Sequence, residues 1–277
     1  MDSPLEQRIA QACRLTDELP LQSLDDRPPL ASGSSGAIPA CCFQTAESRR
    51  FGRSHHAALQ SLRDLNPDLH FLLFDAARRD AYMAERWGDQ PIGQLYRRAR
   101  FGAMRADLFR YCVLFDQGGF YLDINKLVIA PLRSFVGDDH HGLISFESIW
   151  CQLPALPEAA AQLQHPSRYV LQWCLGFAPG HPLLAAMITN IERYAAAYDG
   201  RCFENPSEAV RSLSGPGLFT QTVRDYAATH SLASIAQAGI DFQGHLRYPT
   251  ERELMYMQQP HYKEARHQPI FTEQPAG

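Results

Sequence analysis

One short stretch of the chain brings together residue types that can bind a cation and a phosphate. Tyr121, Asp123 and Asn125 alternate with apolar residues, and this two-residue period predicts a strand with three polar side chains on one face. Mg²⁺ and Mn²⁺ prefer carboxylate and carbonyl oxygens together with the phosphate oxygens of a substrate. The pattern therefore predicts a site for a divalent cation and a phosphate-bearing ligand, although a strand that merely ends in polar residues has the same pattern.

Two further polar residues lie in the segment that precedes this strand. Asp107 and Arg110 are three residues apart, which makes them neighbours on the surface of a helix. The helix is indicated by apolar residues at three-, four- and seven-residue spacing, namely Phe101, Met104, Leu108, Tyr111, Cys112 and Phe115. Gly118-Gly119 ends it, because glycine readily adopts the left-handed conformation found at helix C-termini. Asp107 and Arg110 can serve the same site or form a surface ion pair, and the spacing allows both.

The stretch RADLFRYCVLFDQGGFYLDIN closely resembles the signature of the DXD-motif sugar transferases. This family contains yeast-type initiating α-1,6-mannosyltransferases and many bacterial glycosyltransferases, and it is distantly similar to the glucosyltransferase domains of clostridial toxins. The residues that match its pattern in register are Asp107, Arg110, Gly118, Gly119, Tyr121 and Asp123. The sequence departs from the family at Asn125, where a second acid is expected.

Two more blocks of the chain resemble the family. IPACCFQT, residues 38–45, has the pattern of a buried first strand, and in relatives this strand ends beside the nucleotide base. The resemblance makes Gln44 and Thr45 candidate donor contacts. Gly215 and Pro216 match the family's Gly-Pro turn, whose following backbone N–H groups can face an anion or a sugar hydroxyl.

The resemblance implies an α/β fold of the GT-A type, with a mostly parallel central sheet flanked by helices. Residues 38–277 are expected to form one domain, preceded over residues 1–37 by an N-terminal helix and a flexible linker. The implied activity is that of an enzyme, a retaining glycosyltransferase. It would move a hexose from a UDP- or GDP-linked sugar to a glycan, lipid-linked or protein acceptor.

The resemblance also assigns roles to individual residues. Asp107, Arg110 and Asp123 would be catalytic, and Tyr121 would help these three bind the donor. Mn²⁺ or Mg²⁺ would be held by Asp123, Asn125 and His261, the last a candidate from the C-terminal loop. An amide oxygen can ligate such a cation but carries no charge, so the metal site is expected to be weakened or absent. The alternative is therefore a relative that binds sugar nucleotides or glycans and has little or no turnover.

Composition limits the other function classes. A net charge of −4 does not fit a nucleic-acid-binding protein, which is normally strongly basic. The arginines cluster locally, which indicates solvated faces or a positive rim around an anionic ligand: Arg49, Arg50, Arg53, Arg97, Arg98, Arg100 and Arg105. The seven cysteines form no C-x-x-C pair, and no secretory signal is recognised, so a reducing, cytoplasmic location is expected, with a secreted effector as the alternative. No apolar run approaches the roughly 20 residues that span a bilayer, while contact with a membrane surface stays open.

Overall fold

The computed structural model describes residues 18–31, 36–151, 156–247 and 262–273. The predicted N-terminal helix lies in residues 1–17 and the predicted metal ligand His261 lies in residues 248–261, so both fall outside the described residues. No helix in the described part of the chain combines the length and the apolar character that crossing a membrane requires.

A seven-stranded sheet forms the centre of the protein, in the order β10-β7-β9-β5-β2-β4 with β8 paired to β7. Its strands are β2 (Cys41–Thr45), β4 (His70–Phe74), β5 (Gly119–Leu122), β7 (Gly142–Trp150), β8 (Arg168–Val170), β9 (Cys174–Phe177) and β10 (Ile235–Ile240). Short pairs lie outside it, formed by β1 (Gln22–Ser23) with β3 (Arg50–Phe51) and by β6 (Leu127–Val128) with β11 (Leu246–Arg247). Strands β8 and β9 run antiparallel to their neighbours, and the other five share one direction, which confirms the predicted mostly parallel sheet.

Helices cover both faces of this sheet. They are α1 (Arg53–Asp64), α2 (Ala76–Trp87), α3 (Pro91–Arg98), α4 (Gly102–Gln117), α5 (Pro157–Ala160), α6 (Pro182–Ala195), α7 (Pro206–Leu213) and α8 (Pro216–Ala227). Short 3₁₀ helices span Leu132–Phe135 and Tyr262–Glu264. Successive strand residues point to opposite faces, and the neighbours Phe120 and Tyr121 accordingly belong to two different hydrophobic clusters. The prediction of a central sheet flanked by helices is confirmed.

Helix α4 differs from the sequence-based expectation of one apolar stripe. Its residues 107–114 are all buried, because the helix packs against α3, α6 and the sheet. A helix that is buried all round needs no polar face, so any charged residue within it must find its partner inside the protein. Asp107 and Arg110 are therefore buried charges, and the surface ion pair allowed by their spacing is not formed.

The strand after α4 is also shorter than its alternating pattern predicts. Strand β5 ends at Leu122, and the backbone N–H of Asp123 makes a last bond in register with β9, to the Trp173 carbonyl at 2.8 Å. A turn follows, in which the Lys126 N–H donates to the Asp123 carbonyl at 3.2 Å. Asp123 and Asn125 thus lie in a turn at the carboxyl end of the strand, and the predicted extension of the strand to Asn125 is wrong.

The two glycines between α4 and β5 are required by close packing as well as by conformation. Gly118 has φ 66° and Gly119 has φ 101°, a region that favours glycine. A Cβ on Gly119 would lie 2.4 Å from the Cys41 sulfur and 2.8 Å from the Cys41 carbonyl oxygen. This close approach lets β5 pair directly with β2 and fixes where Tyr121 and Asp123 emerge.

Gly119→Ala should therefore destabilise the protein strongly. We expect a loss of about 3 kcal/mol in the free energy of unfolding, from the unfavourable φ and from overpacking against Cys41. Gly200→Ala is the matched control, because Gly200 has φ 67° but nothing within 4 Å of its would-be Cβ, so about 1 kcal/mol is expected. Urea unfolding of both variants checks this, and equal losses would contradict the packing argument.

Candidate active site

A cavity of about 1230 Å³ opens at the carboxyl ends of the parallel strands. Residues in the C-terminal parts of β2 and β7, and residues that follow β2, β5 and β10, contribute to its wall. The opposite wall comes from α4, α7, the start of α8 and the Tyr262–Glu264 segment. Ligands of open α/β sheets bind at this edge, because the loops after parallel strands converge there. The fold thus gathers residues from distant parts of the chain around one space.

The buried Arg110 side chain organises the floor of this cavity. Its guanidinium donates to Asp107 Oδ1 at 2.8 Å and to Asp123 Oδ1 at 2.8 Å. Only 2% of the Arg110 side chain and 7% of the Asp107 side chain are exposed, whereas Asp123 is 25% exposed. Arg110 therefore compensates two carboxylates at once and leaves Asp123 as the member of the network that reaches the open cavity.

Tyr121 fixes the Asp123 carboxylate from a second direction. Its hydroxyl donates to Asp123 Oδ1 at 2.9 Å, and the Arg110 guanidinium lies 4.5 Å from the centre of its ring. The fully buried ring thus serves as a cation–π surface and as a hydrogen-bond donor. Both bonds go to Oδ1, and among the described residues none donates to Asp123 Oδ2, so this oxygen can accept a ligand.

Asp107 is held by a residue that its sequence neighbourhood does not reveal. The Ser214 hydroxyl, at the end of α7, donates to Asp107 Oδ2 at 2.8 Å. Burial raises the pKa of the Asp107 carboxyl to about 7, although Arg110 and the Ser214 hydroxyl both favour the ionised form. At neutral pH the carboxyl is thus poised between a hydrogen-bond acceptor and a neutral acid.

The turn after β5 offers oxygens that suit a divalent cation. Asn125 Oδ1 is buried and has no hydrogen-bond partner among the described residues. Such an orphaned acceptor is costly unless a ligand satisfies it. Together with Asp123 Oδ2 it forms a pair of hard oxygen donors, the kind that Mg²⁺ and Mn²⁺ prefer. In the described ranges, no three His, Cys, Asp or Glu side chains come together as a metal site, so a cation here would need oxygens from a ligand or water.

The structure brings most of the predicted site residues together. Asp107, Arg110, Tyr121 and Asp123 line the cavity, as do Asn125, Thr45, Gly215 and Pro216. Gln44 does not line it: this side chain is fully buried and its Oε1 accepts from Arg63 Nη2 at 3.3 Å. Thr45 lines the cavity, but its hydroxyl donates to the Phe74 carbonyl at 2.8 Å, so that proton is not offered to a ligand.

The clustered arginines do not all have the same role: some lie at the rim of the cavity, and others form ion pairs elsewhere. Arg100 and Arg105 line the cavity and contribute to a positive rim. Arg49 instead pairs with Asp26 at 2.7 Å, and Arg98 pairs with Asp199. Together, seven cationic and six anionic side chains line the cavity, an excess of one positive charge, 7 − 6, which is compatible with an anionic ligand.

Sequence reasoning missed a buried arginine at the end of the cavity near β2. Arg79 is 1% exposed and donates to Glu47 Oε1 at 2.9 Å, Thr45 Oγ1 at 3.1 Å and the Tyr96 hydroxyl at 2.9 Å. These bonds hold the half-exposed Glu47 carboxylate beside Gly102, at the start of α4. No spacing in the sequence marks Arg79 as buried, because its partners come from two other segments, the end of β2 and α3.

A strained turn supplies a second missed residue, Asp241. Asp241, Phe242 and Gln243 have φ of 49°, 53° and 57°, and each costs about 1 to 2 kcal/mol in this left-handed region. The turn persists because Phe242 is fully buried, with its ring centre 5.8 Å from that of Trp173, and its N–H donates to Ser145 Oγ at 2.9 Å. The strain places Asp241 in the cavity wall next to Glu147.

The pKa of Asp107 gives a testable pH dependence. Because burial raises this pKa from 3.8 to about 7, the folded protein binds the proton more tightly than the unfolded chain. Relative to Asp107→Asn, the wild type should lose stability as the pH rises from about 4 to about 7, by up to roughly 4 kcal/mol, and then level off. Urea unfolding of both proteins across this range checks it, and a difference that does not vary with pH would contradict it.

Comparison with known proteins places these residues in a family context. Residues 52–142 match the family model described as a glycosyltransferase sugar-binding region containing a DXD motif. The chain is 25% identical over 200 residues to the initiation-specific alpha-1,6-mannosyltransferase of Schizosaccharomyces pombe, covering 68% of this chain and 48% of that protein. It is 26% identical over 171 residues to the inositol phosphoceramide mannosyltransferase 3 of the same organism, covering 60% and 41%. The chain thus spans about half the length of the curated relatives it matches.

A solved structure described as PaToxG Glycosyltransferase superposes with a TM-score of 0.49 at 13% identity, over 84% of this chain and 83% of that chain. Five curated relatives match, and all five are named as mannosyltransferases. The matched segment contains Asp107, Arg110, Tyr121, Asp123 and Asn125. The predicted resemblance to the DXD-motif sugar transferases is therefore confirmed, with the match to the family model confined to residues 52–142.

Proposed function

We propose that this chain is a glycosyltransferase that moves a hexose from a nucleoside-diphosphate sugar to a hydroxyl-bearing acceptor. The observation that carries the proposal is the network in which buried Arg110 bridges Asp107 and Asp123 at the floor of a large cavity. A buried ion pair contributes little to stability by itself, because the desolvation cost offsets the attraction. A network retained at a cavity floor is better explained by binding of a polar ligand.

Donor binding divides naturally along the cavity. Asp107 and Arg110 would hydrogen-bond the hydroxyls of the donor sugar, with Arg110 also offsetting phosphate charge. The diphosphate would lie near Asp123 and Lys126, where the Lys126 ammonium could pair with a phosphate oxygen. The nucleotide would extend toward Thr45 and Arg100, at the end of β2, where the family resemblance places the base.

The turn after β5 is the part of the cavity that would suit a divalent cation. Asp123 Oδ2 and Asn125 Oδ1 would hold Mn²⁺ or Mg²⁺ together with phosphate oxygens, and His261 stays a predicted third ligand. When bound, the cation would neutralise the charge of the departing diphosphate. Lys126 lies next to these oxygens, and it supplies a positive charge there with or without a metal.

The acceptor would enter from the opposite wall. Glu147, within β7, and Asp241, directly after β10, lie side by side, because each follows one member of the paired residues Phe146 and Ile240. Both carboxylates line the cavity on the side away from Thr45, and Arg211 lies with them. Carboxylates and a guanidinium suit the hydroxyls of a glycan, whether it is free, lipid-linked or attached to a protein. Retention of the anomeric configuration is expected from the family resemblance.

The first experiment is isothermal titration of UDP-sugars and GDP-sugars against the protein, with and without Mn²⁺. Metal-dependent binding of one nucleotide class, with micromolar affinity, is the expected result. Binding that does not change with metal would assign the charge neutralisation to Lys126 and the arginines. If no donor binds to the folded protein, the proposed function is wrong.

The runner-up function, a sugar-nucleotide-binding relative without turnover, rests on Asn125. Asn125→Asp restores the second acid, so the affinity for donor in Mn²⁺ should rise about tenfold, since ligand charge tunes metal affinity. Without metal, the added negative charge should weaken binding of the diphosphate. Titration should be paired with a product assay, because gained metal affinity without any transfer or donor hydrolysis would favour the binding protein.

A further inference from the structure

Ser214 occupies a position that joins two parts of the candidate site. It is the last residue before the Gly215-Pro216 turn, and it is completely buried. Its hydroxyl reaches Asp107 Oδ2 at 2.8 Å, although the two residues are 107 positions apart in the chain. Gly215 and Pro216 line the cavity, so the serine stands directly behind a turn that faces the ligand.

A second contact joins the backbone of Ser214 to α4, the helix that carries Asp107. The Tyr111 hydroxyl lies 3.0 Å from the Ser214 carbonyl oxygen and 2.7 Å from Gln172 Oε1, and it can donate to either. Tyr111 is fully buried and Gln172 lines the cavity. Tyr111 can therefore hold either the Ser214 backbone or the Gln172 side chain, while the Ser214 hydroxyl separately contacts Asp107.

The two oxygens of Asp107 are both committed. Oδ1 accepts from Arg110 and Oδ2 accepts from Ser214, so the plane of the carboxylate is fixed by groups on two different helices. Without the serine hydroxyl, Oδ2 would lose its one donor among the described residues. Within the described part of the chain, the carboxylate would then be held only by its hydrogen bond to Arg110 and could change orientation. The pKa of the Asp107 carboxyl would also rise, because a donor that favours the ionised form is lost.

We propose that Ser214 is a positioning residue for donor binding. Its hydroxyl fixes the orientation of the Asp107 carboxylate beside Arg110 and keeps that carboxylate close to the Gly215-Pro216 turn in the cavity wall. This inference rests on the proposed function, since the ligand is the donor sugar. Ser214 itself lies behind the cavity wall and acts through Asp107.

Several ionisable groups surround Asp107 and set its response to pH. Arg110 and Tyr111 lie on the same helix, Asp123 follows β5, and Tyr262 approaches from the C-terminal 3₁₀ helix. Arg110 favours the ionised carboxyl, whereas Asp123 disfavours it. Removing the Ser214 hydroxyl takes away a second contact that favours the ionised Asp107 carboxyl, so the pKa of Asp107 should rise further.

The test is titration of the donor that the wild type binds, measured at several pH values from 6 to 8.5 on wild type and Ser214→Ala. Affinity should fall at least about tenfold at neutral pH, the usual effect of losing a hydrogen bond to a charged group. The pH at which affinity is half-maximal should also move upward. Ser207→Ala is the matched control: Ser207 is buried in the same helix, but its hydroxyl donates to Asn205 at 2.8 Å, away from the cavity.

The outcomes separate the two claims. If the wild type binds no donor, the proposed function fails. If the wild type binds and Ser214→Ala binds equally well, with the same pH profile, the positioning role is wrong. A uniform loss at every pH, with the half-maximal pH unchanged, would also overturn it, because it would show general damage to the site. Should Ser214→Ala not fold, Ser214→Cys keeps nearly the same shape with a much weaker donor and gives the same comparison.

Discussion

A single buried guanidinium constrains the architecture of this protein. Arg110 carries a full charge into an interior where only 2% of its side chain is exposed, and an unpaired charge there would cost several kcal/mol. Asp107 must therefore lie beside it on α4, and Asp123 must reach it from the end of β5. This pairing of Arg110 with two carboxylates holds α4 against the end of β5. It lies at the edge of the sheet where a ligand can bind.

The remaining features follow from keeping this charge network next to an open cavity. Gly118 and Gly119 let β5 approach β2 closely enough that Asp123 emerges beside the end of β2. The left-handed turn that begins at Asp241 packs Phe242 against Trp173, whose carbonyl accepts from the N–H of Asp123. Conformational strain at Asp241, Phe242 and Gln243 thus lies at the cavity wall, where it positions a polar group.

The sequence predicted the parts of this arrangement that depend on local pattern. Helix α4, the glycine pair and the strand after it are consecutive, so their periodicity and turn chemistry identify them, and Asp107, Arg110, Tyr121 and Asp123 follow with them. The mostly parallel sheet could be predicted from the family resemblance. The end of β5 could not, because the alternation of polar and apolar residues continues to Asn125 although the chain turns after Asp123.

Long-range partners also account for what the sequence did not show. Ser214 and Asp107, or Arg79 and Glu47, meet only because the sheet brings their segments together, and no spacing in one sequence encodes such a pair. Gln44 illustrates the reverse case: a polar residue at the end of a strand turned inward to Arg63. Alternation assigns a residue to a face, but it does not say whether that face meets ligand or core.

The most direct test of the account is a crystal structure of the protein with an intact nucleoside-diphosphate sugar and Mn²⁺. We expect the sugar hydroxyls to contact Asp107 and Arg110, the diphosphate to lie beside Asp123, Asn125 and Lys126, and the nucleotide to extend toward Thr45. A sugar nucleotide seated elsewhere, or in this cavity with no contact to the Arg110 network, would contradict the central claim that this buried charge organises donor binding.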